Sequence, residues 1–221
     1  MLKAIVFDFD GVLIDSEPLH HQAFVRVFEP MGVSFDYPTY LKRYVGFDDR
    51  DAIEAITRDF EIDLDPADAP ALIERKADAL QRIIGAGVEP YHGMERVLRE
   101  AAEAMPVAIS SGALLRDIEA MLAAVADDLI DLFTAIVTAD DVARSKPDPQ
   151  SYQLAAERLG VDPRHCVAIE DTPAGLASAR TAGMHTVAVG HTHAMSDLEA
   201  DRAVEALAYL DVITLRAWFG Q

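Results

Sequence analysis

The run Ala4-Ile5-Val6-Phe7-Asp8-Phe9-Asp10-Gly11-Val12-Leu13 constrains the fold of this chain more than any other stretch. Its apolar, β-branched and aromatic opening has the composition of a strand buried on both faces. Two aspartates one residue apart then follow, with Gly11 directly after them. Carboxylates add nothing to the stability of a core strand. In an open parallel sheet, ligands bind at the carboxyl ends of the strands, so Asp8 and Asp10 are expected at a strand tip. If the chain stays extended there, residues i and i+2 share a face and the two carboxylates converge. Two like charges in one small volume call for a divalent cation or a shared proton.

Downstream the pattern alternates. Strands are expected at 107–110, 133–137, 165–169 and 185–189, with helices at 94–104, 114–124, 149–159, 173–182 and 211–219. Such alternation predicts βαβ units and a parallel sheet. Between the first strand and residue 87 the spacing is helical instead. A helix over 17–31 carries Leu19, Ala23, Val27 and Phe28 on one side, with Asp15 or Ser16 available as its cap. Further helices are expected at 40–44, 50–60 and 67–84, and Gly85 to Pro90 reads as a hinge. The fold class is therefore α/β: a Rossmann-like parallel-sheet core formed by residues 1–15 and 88–221. A small all-helical cap domain, residues 16–87, is inserted after the first strand.

Charge and cysteine usage exclude several functions. With 38 acidic against 19 basic residues, the formal charge of −19 argues against nucleic acid or an anionic membrane as partner. Cys166 is the only cysteine, so no internal disulfide forms. Its apolar setting predicts a core thiol. No stretch has the length and hydropathy of a membrane helix or the pattern of a leader, and a cytoplasmic enzyme, monomeric or weakly dimeric, is expected. His20, His21, His92, His191 and His193 give no tetrahedral ligand set.

Three more strand tips carry polar groups. At Ser111-Gly112, a hydroxyl and freed backbone N–H groups can hold a phosphate oxygen, or Ser111 can cap the next helix. In Arg144-Ser145-Lys146-Pro147, the residue before proline is kept out of the helical region, and its ammonium supplies the charge that the acidic tips lack. Glu170-Asp171 precedes Thr172-Pro173, a natural N-cap and first helical residue. A second carboxylate pair facing the first is a ready oxygen set for Mg²⁺. Together the four tips hold what phosphoryl transfer needs: a nucleophile, a metal, an opposing cation and donors around the equatorial oxygens.

The ordered set Asp8-Phe9-Asp10-Gly11-Val12-Leu13, Ser111, Lys146-Pro147 and Glu170-Asp171 resembles the four motifs of the haloacid dehalogenase-like hydrolase superfamily. Within it, the chain looks most like the β-phosphoglucomutase and phosphoglycolate-phosphatase-like group, and its helical insert looks like that superfamily's four-helix cap. The resemblance implies that Asp8 is a nucleophile forming an aspartyl-phosphate, and that Asp10 protonates the leaving alkoxide and then activates water. It implies Mg²⁺ held by Asp8, the Asp10 carbonyl and Asp171, with Glu170 assisting, and the phosphoryl group bound by Ser111, Gly112 and Lys146. An acid at position 10 favours phosphate esters over halides, since a halide leaves unprotonated. β-Phosphoglucomutases share a histidine like His20, but carry a lysine before the cap glycine and an arginine shortly after it. Here Tyr44-Val45-Gly46-Phe47-Asp48-Asp49-Arg50 has valine at the first place and a displaced arginine. A phosphatase acting on small phosphorylated metabolites is expected, with a phosphomutase as the alternative and a phospho-accepting signalling module as a remote one. His20, Arg43 and Arg50 are the insert residues that are candidates for substrate contact, although exposed surface arginines are the commoner reading of the latter two.

Overall fold

The computed structural model describes residues 1–220. Six short strands, β1 (Ala4–Phe7), β2 (Val107–Ser110), β3 (Ala135–Val137), β4 (Cys166–Glu170), β5 (His185–Val189) and β6 (Arg202–Val204), form one sheet. Their order is β3-β2-β1-β4-β5-β6, and every pairing is parallel. Successive side chains of a strand face opposite ways. Accordingly Ile5 and Phe7 belong to one buried apolar cluster, and Ala4 and Val6 to the other. Covering both faces are helices α5 (Met94–Ala104), α6 (Leu115–Val125), α7 (Gln150–Leu159), α8 (Pro173–Ala182) and α9 (Val212–Phe219). This is an α/β Rossmann-like fold. Strand order reverses beside β1, and the crevice beyond the carboxyl ends of β1 and β4 is the place such sheets bind ligands.

Four helices lie between β1 and α5: α1 (Glu17–Phe28), α2 (Tyr37–Arg43), α3 (Asp49–Asp59) and α4 (Ala69–Ile84). Ala23, Val27 and Phe28 of α1 share an apolar cluster with Leu72, Leu80, Ile83 and Ile84 of α4. The two chain passes that join this insert to the sheet are paired to each other. Asp15 N–H donates to the Glu89 carbonyl at 2.9 Å, and Tyr91 N–H to that of Leu13 at 3.0 Å. Across the cleft, α4 reaches α6, where Gln81 Nε2 donates to Asp117 Oδ1 at 2.8 Å.

Several elements depart from the sequence reading. β1 ends at Phe7; the Phe9 carbonyl then accepts the Leu13 N–H at 2.9 Å, so residues 8–14 turn instead of extending. Asp8 and Asp10 consequently do not share a strand face. The helix expected from residue 40 starts at Tyr37, because Asp36 accepts the Thr39 N–H at 3.0 Å. Pro38 lies in its first turn, where a missing N–H costs nothing. The short edge strand β6 was not expected. Among the described residues, no helix is long and apolar enough to cross a membrane.

Cys166 opens β4 with no solvent exposure, and burial, helped by the charge of Asp162, pushes its thiol up to about 11. The folded protein is expected to leave Cys166 unmodified by a thiol-specific chromogenic disulfide at pH 8, with one equivalent reacting in denaturant. Rapid reaction of the native protein contradicts this placement.

Candidate active site

Asp8 is the first residue past β1, fixed by its N–H donating to the Ile169 carbonyl of β4 at 2.9 Å. The loop after β3 brings Lys146 against it. Lys146 Nζ donates to Asp8 Oδ1 at 2.8 Å, to Glu170 Oε1 at 2.6 Å and to the Ser110 carbonyl at 3.0 Å. A longer contact of 3.4 Å to the Tyr152 hydroxyl shares the three ammonium protons with them. From behind, the Tyr152 hydroxyl donates to Glu170 Oε1 at 2.8 Å. Burial works against the charge on Lys146, but Asp8 and Glu170 more than offset it and raise its pKa.

Asp8, Glu170 and Asp171 form a buried group in which one carboxylate oxygen from each lies within 4.8 Å of the others. One ammonium cannot balance three carboxylates. Burial holds both Asp8 and Asp171 well above the usual carboxyl range, reinforced by neighbouring negative charge in each case. Asp171 Oδ1 is fully buried and has no hydrogen-bond partner. An orphaned carboxylate oxygen beside two other acids is the environment a hard divalent cation satisfies, so the residues present fit Mg²⁺. Glu170, expected among the metal residues, has little left to offer. Oε1 accepts from Lys146 and Tyr152, and Oε2 from the N–H groups of Asp171 and Thr172 and from Thr172 Oγ1. These bonds hold Lys146 and the loop before α8. The backbone approaches it so closely that a Cβ on Gly175 would lie 1.7 Å from Oε1.

Asp10 faces the same pocket from another side. Ser16 Oγ donates to its Oδ1 at 2.5 Å, His20 Nε2 lies 3.2 Å from the same oxygen, and Ser111 Oγ is 3.3 Å from Oδ2. Burial opposes ionisation here, yet His20 and the Ser16 hydroxyl bring the Asp10 carboxyl down to about 2. Lys76 Nζ stands 2.7 Å from His20 Nδ1 and 2.6 Å from Asp49 Oδ1. An ammonium donating to Nδ1 leaves the ring proton on Nε2, where it points to Asp10.

Asp8, Asp10, His20, Ser111, Gly112 and Lys146 all line one pocket between sheet and insert. Ser111 Oγ also accepts the Ala113 N–H at 2.9 Å and caps no helix. The two arginines named from the insert lie outside the lining. Arg43 pairs with Asp59 at 3.0 Å and Arg50 with Asp48 at 3.0 Å, each half exposed. Each of these pairs neutralises an insert carboxylate. Ser16 occupies the N-cap position of α1 without capping it, since its hydroxyl serves Asp10. Lys76 and Tyr152 went unnoticed in the sequence. The signal for Lys76 was its place on the apolar stripe Leu72-Lys76-Leu80-Ile83 of α4, where a lysine needs a buried partner.

At the switch point of the parallel sheet stand an aspartate, a lysine and an acid pair, and the chain's similarity to known proteins gives its family. Residues 5–189 match the family model described as haloacid dehalogenase-like hydrolase. Fructose-1-phosphate phosphatase YqaB of Escherichia coli K12 is 34% identical over 185 residues, covering 84% of this chain and 95% of that protein. The β-phosphoglucomutase of Bacillus subtilis 168 is 32% identical over 208 residues, covering 92% and 89%. Among solved structures, CbbY from Rhodobacter sphaeroides in complex with phosphate superposes with a TM-score of 0.88 at 28% identity, covering 100% of both chains. The chain belongs to the haloacid dehalogenase-like hydrolase family, as an enzyme of the phosphoric monoester hydrolase kind.

Removing the charge on Lys146 leaves Asp8 and Glu170 buried and unpaired. Lys146→Met is expected to cost about 3–5 kcal/mol in metal-free protein, measured by urea unfolding. Wild-type stability in that variant would show that the ion pair is not buried as described.

Proposed function

We propose that the chain is a Mg²⁺-dependent phosphatase of small phosphorylated metabolites, of the sugar phosphate monoester type, acting through an aspartyl-phosphate. The observation that carries this reading is Asp8 held by Lys146, with the unpartnered Asp171 Oδ1 in the same acid cluster. In this reading Asp8 attacks phosphorus as the ester P–O bond breaks, and Asp10 gives the leaving alkoxide a proton. Water then attacks the acyl phosphate, Asp10 takes the water proton, and inorganic phosphate leaves with Asp8 regenerated. A phosphoryl dianion entering beside Asp10 brings like charge, which lifts the Asp10 pKa and favours the protonated acid the first step needs. Lys146, Ser111 and the loop at Gly112 face the transferring group. Asp8, Asp171 and the Asp10 carbonyl would hold Mg²⁺, which supplies charge neutralisation at the phosphoryl oxygens.

The rest of the substrate is read from the insert side of the pocket. Its polar lining residues are Glu17, His20, Tyr40, Asp48 and Asp49, with no lysine or arginine among them. Arg50 is engaged by Asp48 and Lys76 by Asp49. A second phosphate or a carboxylate is repelled by this surface, whereas hydroxyls donate to it. That observation favours an uncharged polyol remainder and weighs against a mutase, which must hold two phosphates. Relatives with both kinds of name keep the mutase as the alternative.

A phosphate-release screen over sugar phosphates, phosphoglycolate and nucleotides with Mg²⁺ tests the reading. Sugar monophosphates are expected to turn over fastest. Asp8→Asn is expected to abolish release, and Asp10→Asn to lower kcat about 10²–10⁴-fold. Conversion of β-glucose 1-phosphate to glucose 6-phosphate with little free phosphate would overturn it in favour of the mutase.

A further inference from the structure

The loop after β5 takes no part in the chemistry above, yet consecutive side chains of it touch the loop after β1 and Asp171 after β4. His191 Nδ1 lies 2.8 Å from the Gly11 carbonyl, while the Leu207 N–H donates to Nε2 at 3.1 Å. An amide N–H can only donate, so Nε2 accepts and the ring proton sits on Nδ1, given to Gly11. The same ring stacks on Tyr91, centroids 3.8 Å apart and planes at 16°. Tyr91 belongs to the chain pass returning from the insert, bound to Leu13. The next residue, Thr192, donates its hydroxyl to Asp171 Oδ2. That hydroxyl has one proton, so the His193 Nδ1 found 3.1 Å away acts as a donor to it.

The contacts leave no slack between the two loops. Gly11, in the left-handed region at φ +78°, packs so tightly that a Cβ there would sit 2.1 Å from Asp171 Oδ2 and 3.0 Å from Thr192 Cγ2. With Oδ2 anchored, the Asp171 carboxylate cannot exchange its oxygens by rotation. Oδ1, the unpartnered one, is then the oxygen that Asp171 keeps free of hydrogen bonds within the acid cluster.

We propose that His191 and Thr192 are positioning residues of the reaction: Thr192 orients the metal-facing carboxylate of Asp171, and His191 fixes the loop that carries Asp8 and Asp10. The proposal rests on the phosphatase reading of the site. Partners that orient a metal-binding carboxylate characteristically influence metal affinity or activity by about 10–100-fold, and a small misplacement of reacting groups costs about 10²-fold in rate.

Calorimetric titration of the substrate-free protein with Mg²⁺, beside steady-state kinetics on a turned-over phosphate ester, tests both halves. Thr192→Val keeps the shape and removes the donor; it is expected to weaken Mg²⁺ binding about 10–100-fold. Thr192→Ser restores the donor and is expected to return binding close to the wild-type value. His191→Phe keeps the ring on Tyr91 but loses both hydrogen bonds, and is expected to lower kcat about 10–100-fold with KM near wild type. Wild-type Mg²⁺ affinity in Thr192→Val, or equal impairment in Thr192→Ser, overturns the Thr192 assignment. Wild-type kcat in a folded His191→Phe protein overturns the other. Absence of Mg²⁺ binding and phosphate release in the wild type defeats the phosphatase reading itself, an outcome visible before any variant is made.

Discussion

The buried ammonium of Lys146 is the interaction on which the rest of the site depends. Ion pairs away from water recover their desolvation cost only when the remaining donors and acceptors are also satisfied. Lys146 meets that condition through Asp8, Glu170 and the Ser110 carbonyl, with Tyr152 completing Glu170. Such an arrangement contributes little to stability and much to position. It also leaves negative charge in excess, since Asp171 joins the cluster without a cation of its own. Three carboxylates against one ammonium suit such a site to a divalent cation and, in the proposed reading, to a phosphoryl group that the cation and lysine together neutralise.

Parallel topology makes this possible. All strands point the same way, so the ends of β1, β2, β3 and β4 deliver Asp8, Ser111, Lys146 and Glu170-Asp171 to one side, and the loop after β5 braces them from outside. The helical insert closes the remaining side by close backbone approach. A Cβ on Gly46 would lie 3.2 Å from Thr172 Cγ2, and one on Gly112 would lie 3.5 Å from Asp48 Cβ. The Ser145 hydroxyl donates to Asp51 of α3, so the loop carrying Lys146 is tied to the insert itself. Closure therefore brings an acidic surface over a site built for an anion. In the proposed reading, affinity for the phosphoryl end and tolerance for hydroxyls at the other end are separated in space.

Most of the sheet was legible in the sequence because fully buried parallel strands are short apolar runs, as in β1, β2, β4 and β5. The edge strand β6 was not, since Arg202 and Ala203 are exposed and offer no such run. The start of α2 was obscured by Pro38, which looks like a break but is tolerated in a first turn. The strand-tip residues stood out because carboxylates, a hydroxyl and a lysine recur at successive ends of one parallel sheet, where each alone has a structural reading. Their supports did not. The bonds of Glu170 to Lys146 and Tyr152, and those of the β5 loop to Gly11 and Asp171, join residues far apart in sequence, and no local pattern marks them. Arg43 and Arg50 stand half exposed against Asp59 and Asp48, as surface arginines of the insert commonly do.

The covalent role of Asp8 is tested most directly by trapping it. Rapid acid quench during turnover with Mg²⁺ and a phosphate ester, followed by borohydride reduction, converts an acyl phosphate of aspartate to homoserine, which peptide mass spectrometry locates. Homoserine at position 8, dependent on both Mg²⁺ and substrate, is the expected result. Turnover with position 8 unchanged, or reduction at Asp10 or Asp171 instead, would contradict the assignment of Asp8 as the group that Lys146 holds for attack.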